Sequence, residues 1–208
     1  MRIIDLDTWS RKEHYLFFKR MDYPHYHIGT DLDITHFLGK VKQQNLAFSF
    51  TMTYAVTTVM NTVEAFRYRI RGEQVVLHDK IHPSFSYLAP GAEYFKMVTV
   101  DWVEPVSAFV KQAKEKAIAQ QKYFVREDME GRDDLIYISS IPWVSFTHLS
   151  HTISFNKSDA VPRLSWGKYY ERDGKVLLPF NVQAHHAFVD GNHMGEYINK
   201  MQEYLDDF

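Results

Sequence analysis

The stretch Val176-Leu177-Leu178-Pro179-Phe180-Asn181-Val182-Gln183-Ala184-His185-His186-Ala187-Phe188-Val189-Asp190-Gly191 reads as a strand, Val176 to Val182, that delivers two adjacent histidines. A histidine suits proton removal from an alcohol near neutral pH, because its unperturbed pKa is about 6.5. To act as a base it needs one ring nitrogen held protonated and the other left bare toward the substrate. Asp190 lies four residues after His186, one turn along, where it can shape the histidine loop. Gly191 lets the backbone turn sharply behind it. The same short pattern also suits a surface histidine pair before a turn.

Working outward, Arg172-Asp173-Gly174 is a turn into that strand, and Asn192 to Leu205 is a helix with Met194, Tyr197, Ile198, Met201 and Leu205 along one stripe. Upstream, Ile3 to Leu6 reads as a strand. Ser10 and Glu13 have the form of a capping box for a helix to about Lys19. Tyr26 to Asp31 looks extended, and Asp33 caps a helix from Ile34 to about Gln43. Phe50 to Ala65 predicts a long helix buried on most sides. Phe66 to Ile70 and Val75 to His78 form a hairpin, and Ser84 to Leu88 and Glu93 to Val100 are further strands. A helix starts at Glu104-Pro105, a charged loop covers Arg126 to Asp134, and strands follow at Leu135 to Ser139, Thr152 to Phe155 and Leu164 to Tyr170. Strands and helices are interspersed without strict alternation. That predicts an α/β (α+β) protein, a two-layer sandwich in which a mixed β-sheet is covered by helices on one side.

A length of 208 residues suffices for one domain, residues 1–208, with a substantial core. Hydrophobic residues at 45% against charged residues at 24% indicate an ordinary globular chain. The aromatic share of 15% favours strands, a ring-lined pocket, or both. A net charge of −2 gives no field that would draw the chain to nucleic acid or an anionic membrane. No apolar run approaches a bilayer span, and the first residues lack signal-peptide architecture, so a cytoplasmic address is expected. With no cysteine, disulfides, thiolate metal sites and Cys nucleophiles are excluded. His25 with His27, and His148 with His151, are pairs a metal could use, but no third or fourth ligand is visible and no metal site is expected.

Several distant stretches point to one family. Trp9-Ser10-Arg11-Lys12-Glu13-His14, Leu32-Asp33-Ile34-Thr35, Ile81-His82-Pro83, Pro142-Trp143-Val144-Ser145-Phe146, Gly167-Lys168-Tyr169-Tyr170 and His185-His186-Ala187-Phe188-Val189-Asp190-Gly191 together resemble the chloramphenicol acetyltransferases of the trimeric, HHxxxDG-bearing kind. The likeness spans nearly the whole chain in the same order. It implies a two-layer α/β subunit, a homotrimer with active sites at subunit interfaces, and acetyl-CoA as co-substrate, without a metal.

The resemblance also implies roles. His186 matches the general base, its inner nitrogen bonded to its own carbonyl. His185 matches the family's first, structural histidine. Asp190 would pair with Arg11 to fix the histidine loop rather than act as the acid of a triad. Ser145 matches the oxyanion donor, and Ser165 stands where the family has a threonine that holds a water nearby. Lys168 and Tyr169 match positions at the nucleotide end of CoA. Phe17, Phe18, Tyr26, Phe95 and Phe124 match the aromatic lining of the acceptor pocket. Asp22-Tyr23-Pro24-His25 and Asp159 to Arg163 depart from the family, and a charge in a pocket for a neutral diol costs desolvation unless it is paired or faces solvent. Three alternatives to chloramphenicol acetylation follow: the same chemistry on another small acceptor, an idle oligomeric binding protein on this scaffold, or the catalytic domain of a dihydrolipoyl acyltransferase, whose usual lipoyl domain and linker are not seen here.

Overall fold

The longest strand organises the molecule. The computed structural model describes residues 1–153 and 156–208. In chain order the elements are β1 (Arg2–Ile3), α1 (Lys12–Phe18), β2 (His25–Asp33), α2 (Thr35–Gln43), α3 (Phe48–Asn61), β3 (Tyr68–Arg71), β4 (Gln74–Leu77), β5 (His82–Tyr87), β6 (Lys96–Thr99), α4 (Val106–Ala119), β7 (Leu135–Ile141), β8 (Arg163–Gly167), β9 (Tyr170–Arg172), β10 (Lys175–His185) and α5 (Gly191–Asp207). The main sheet runs β2-β10-β8-β7-β5-β6, with β9 also on β10, and a small sheet runs β1-β4-β3. β7 is parallel to both β5 and β8, while β10 is antiparallel to β2 and β8. The sheet is therefore mixed, as the irregular alternation of elements predicted.

Strand periodicity sends alternate residues of β10 to opposite faces. Leu178, Phe180, Val182 and Ala184 join a core with Leu164 and Trp166 of β8 and with Met194, Tyr197, Met201 and Leu205 of α5. α3 packs against α4 and α5, and is buried on nearly every side. Its threonines remain satisfied there: Thr51, Thr53, Thr57 and Thr58 each donate to the carbonyl four residues back, at 2.9, 2.9, 2.7 and 2.8 Å. The other face of the sheet is polar. It presents His25 and His27 of β2, Asn181, Gln183 and His185 of β10, and Arg163 and Ser165 of β8, all buried but His27. The non-helical stretches 145 to 153 and 156 to 159 lie over it. His148 meets the His27 ring at 5.6 Å, His151 N–H donates to Gln183 Oε1 at 3.4 Å, and the carbonyls of Lys157 and Asp159 bond His185 and His25. Gly167 allows the close approach of this segment, since a Cβ there would lie 2.6 Å from the Val144 carbonyl.

Some local expectations change. The Ser10 capping box does not form; Arg11 occupies the N-cap with no side-chain cap, and its guanidinium is used elsewhere. Asp33 is not the N-cap of α2 either; that position is Ile34, without a side-chain cap, and Asp33 one residue ahead accepts from Thr35 N–H at 3.0 Å. The helix predicted to Ala65 stops at Asn61, and a short 3-10 turn covers Glu64–Arg67. The strand expected from Thr152 to Phe155 is absent at Thr152 and Ile153, and Ser154 and Phe155 lie outside the described residues. Among the described residues no helix is long and apolar enough to cross a membrane.

Candidate active site

β10 ends in the histidine loop, and the loop is held from three sides. Arg11 donates from Nε to the Ala187 carbonyl at 2.9 Å, from Nη2 to the His186 carbonyl at 3.3 Å, and from Nη1 to Asp190 Oδ2 at 2.9 Å. Asp190 also caps α5, its Oδ1 accepting from the N–H groups of Asn192 and His193. Partial burial of Asp190 favours protonation, but the Arg11 hydrogen bond and the charges of His193 and Arg11 win and hold its pKa at about 2. His185 is buried. Its Nδ1 accepts the Ala187 N–H at 3.1 Å, so the proton sits on Nε2, which donates to the Lys157 carbonyl at 3.0 Å. Burial lowers its pKa to about 4 and keeps it neutral.

His186 projects from this frame and is partly exposed. Its backbone N–H donates to the Pro24 carbonyl at 2.7 Å. Its ring stacks flat on Phe18, centroids 3.9 Å apart, and leans on Tyr26 at 4.5 Å. Phe17 meets Phe18 edge to face and is 60% exposed, so an apolar surface opens beside the imidazole. Nδ1 is buried with no hydrogen-bond partner among the described residues. The bond to its own carbonyl implied by the resemblance is not made; that oxygen takes the Arg11 proton instead.

Ser145 stands well back from His186, level with the middle of the strand. Its Oγ donates to the Lys168 carbonyl at 2.7 Å, just past the end of β8. Ser145 shares a groove with Gly29, Thr30 and Asp31 of β2. Those residues pair with Asn181, Phe180 and Pro179. At about 3.3 Å per strand residue, Ser145 and His186 of one chain are therefore on the order of 20 Å apart. Beside the Ser145 turn opens a largely apolar cleft of about 620 Å³, lined by Phe48, Tyr87, Phe95, Trp143 and Trp166 with Glu93 at its edge. Tyr169 packs near Phe48, centroids 6.1 Å apart, and Lys168 is exposed.

The five aromatic residues matched to an acceptor pocket thus fall into two groups. Phe17, Phe18 and Tyr26 gather at His186, whereas Phe95 and Phe124 pair edge to face at 6.0 Å elsewhere. Asp159 and Arg163 pair with each other at 2.5 Å, both largely buried, so neither faces solvent or strands a charge. Ser165 is fully buried and bonded to His151 Nε2 at 2.8 Å, a contact with no signal in the local sequence. Among the described residues no three His, Asp or Glu side chains form a metal cage.

The comparisons with known proteins agree with one another. The sequence profile of the family described as "Chloramphenicol acetyltransferase" matches residues 1–202. A chloramphenicol acetyltransferase of Proteus mirabilis is 31% identical over 209 aligned residues, covering 99% of this chain and 94% of that one. A solved chloramphenicol acetyltransferase superposes with a TM-score of 0.91 at 26% identity, over 98% of this chain and 99% of its own. Dihydrolipoamide acetyltransferase of Azotobacter vinelandii shares the fold at a TM-score of 0.72 and 16% identity, over 94% of this chain and 86% of its own.

Proposed function

The chain belongs to the chloramphenicol acetyltransferase family, and from that premise we propose that residues 1–208 act as one domain of a homotrimer that moves the acetyl group of acetyl-CoA to a hydroxyl of chloramphenicol. The observation that carries the reading is the separation of the parts. His186 with Phe17, Phe18 and Tyr26 occupies the end of β10, and Ser145 with its cleft lies level with the strand's middle, past the ends of β7 and β8. A heterologous contact that closes as a ring brings the His186 end of each subunit onto the Ser145 cleft of its neighbour. Each closed site then has a base, an oxyanion donor and both groups of aromatic rings.

In that site Nε2 of His186 takes the proton of the acceptor hydroxyl as its oxygen bonds to the thioester carbon. General-base help of this kind is worth about 10²–10⁴ in rate. The negative charge moves to the thioester oxygen, toward which Ser145 turns its hydroxyl from the Lys168 carbonyl. Collapse reforms the carbonyl, breaks the carbon–sulfur bond and releases the CoA sulfur, which takes the proton back from His186. Flat stacking on Phe18 fixes the plane of the imidazole through these transfers. Lys168 serves a CoA phosphate and Tyr169 the adenine.

The test is release of CoA thiol from acetyl-CoA, wild type against His186→Ala, with chloramphenicol and a panel of small alcohols and amines. The reading predicts chloramphenicol-dependent thiol release that the substitution abolishes. Release with another acceptor and none with chloramphenicol would move the reading to that acceptor. No release with any acceptor would leave an idle scaffold.

A further inference from the structure

Four histidines fasten the stretches 145 to 153 and 156 to 159 to the polar face of the sheet. His185 Nδ1 accepts the Ala187 N–H at 3.1 Å, and its Nε2 donates to the Lys157 carbonyl at 3.0 Å. His25 is buried beside it, ring centroids 5.2 Å apart. It bonds the Asp159 carbonyl through Nε2 at 2.7 Å, and its Nδ1 is buried without a partner among the described residues. His27 meets the Tyr23 hydroxyl through Nε2 at 3.3 Å and faces the His148 ring at 5.6 Å; its Nδ1 is likewise buried and unpartnered. His151 reaches Ser165 Oγ through Nε2 at 2.8 Å, and its backbone N–H reaches Gln183. The charges on this face do not favour further protons. Arg163 acts on both His25 and His151, with its guanidinium over Tyr137 of β7 at 5.5 Å. The Asp159 carboxylate is spent on Arg163, with the buried Arg69 beyond it. The pair of Lys157 with Asp22 is exposed, and His186 adjoins His185 in the chain.

A second proton is badly placed on each of these rings. On His185 it has to take Nδ1, where it meets the Ala187 N–H head on. On His25 and His27 it makes a donor of a buried Nδ1 that has no acceptor, at the full desolvation cost of that group. On His151 it adds charge beside Arg163. We propose that the stretches 145 to 153 and 156 to 159 form an acid-released cover: protonation of these four histidines lifts the cover from the sheet while the helical layer stays folded, and the same protons unfasten the loop that carries His186. The coupling runs through His185, which holds the cover by one ring nitrogen and the histidine loop by the other. The Asp159–Arg163 pair, at the join with β8, is the hinge. Burial lowers the pKa of all four rings, with Arg163 adding to it at His25 and His151 and His148 adding to it at His27; His151 and His185 are held at about 4. A ring released in the open form titrates near 6.5, so the closed form is progressively disfavoured as pH falls from 6.5 toward 4. Between pH 7 and pH 5, His151 and His185 each multiply the opening equilibrium about twentyfold, and together about four-hundredfold.

Amide hydrogen exchange on the full chain tests this without reference to turnover, so the proposal can fail while the acyl-transfer reading stands. After correction for the intrinsic pH dependence of exchange, amides of the cover should exchange faster than those of α3 and α5 at every pH from 7 to 5. Low urea should not speed their opening, because a local opening exposes little surface. Their protection should fall about four-hundredfold or more from pH 7 to pH 5. In His151→Gln, which keeps a polar group and takes no proton, that fall should be about twentyfold smaller. Cover protection indifferent to pH overturns the proposal, and so does a pH dependence that is the same in wild type, His151→Gln and His185→Gln. Cover amides that match α3 and α5 in both rate and urea dependence also overturn it, since acid would then act only by unfolding the whole chain.

Discussion

The His186 end of β10 and the Ser145 end of the sheet, past β7 and β8, are built in opposite ways. At the His186 end, Arg11 makes three bonds to the loop, His185 ties it to Lys157 and Ala187, Asp190 caps the next helix, and Phe18 lies flat against the ring. At the Ser145 end the backbone turn carries Trp143 at 66% and Val144 at 54% exposure, beside a wide cleft. If His186 is the base proposed above, the first end needs precision, since a base misplaced by about an ångström can cost 10²-fold. On the same reading the second has to admit a long donor. On the proposed reading neither end contains a full set of reacting groups, and one subunit alone is half of two sites.

Breaking the clamped end at its reacting group has the largest expected effect. His186→Ala should lower kcat by about 10²–10⁴, with KM for acetyl-CoA nearly unchanged because the donor binds at the opposite end; a large KM change would place the donor beside His186. Ser145→Ala should lower kcat by about 10²–10³, and a loss confined to KM would make it a binding residue. His185→Gln sharpens the contrast in rigidity. The His185 ring is held neutral in the fold with its pKa near 4, while the unfolded chain takes a proton at about 6.5. Wild-type stability should therefore fall as pH drops from 6.5 toward 4, by about 2–4 kcal/mol from this residue. Melting curves at pH 7 and pH 5 should show a smaller gap in the variant; equal gaps contradict a buried neutral His185.

Asp190→Asn is the mildest. Its carboxylate pKa, held at about 2 against an ordinary 3.8, adds stability above pH 3.8 that is lost as pH falls toward 2. The group is a third exposed, so screening leaves about 1–2 kcal/mol at neutral pH. The variant should melt earlier with an unchanged kinetic pH profile. A shifted kinetic pKa at an unchanged melting temperature would make Asp190 a direct partner in proton transfer.

The sheet, the main helices and the Arg11 to Asp190 pair were legible because each has a local or motif signal: alternation in β10, the apolar stripe of α5, and two charges in stretches that resemble one family. The polar face was not. The expected strand stopped at Val182 because Gln183 and His185 look like solvent-facing residues, yet both are buried, with His151 and Lys157 of an earlier segment bonded to them. That segment has no periodicity from which its path follows. For the same reason the pairing of Asp159 with Arg163, and of His151 with Ser165, appears only once the chain is folded. α3 ended early because Val63, Ala65 and Phe66 continue the apolar run while the backbone has already turned.

Mixing two inactive variants asks most directly whether each site is shared. His186→Ala and Ser145→Ala subunits, unfolded together and reassembled in equal amounts, give sites that draw the base from one variant and the hydroxyl from the other. If each site spans two subunits of a ring, about a quarter of the sites regain both groups, and thiol release should return to about that fraction of wild type. Activity no higher than either variant alone, in assemblies shown to contain both, would contradict a site completed by the neighbouring subunit.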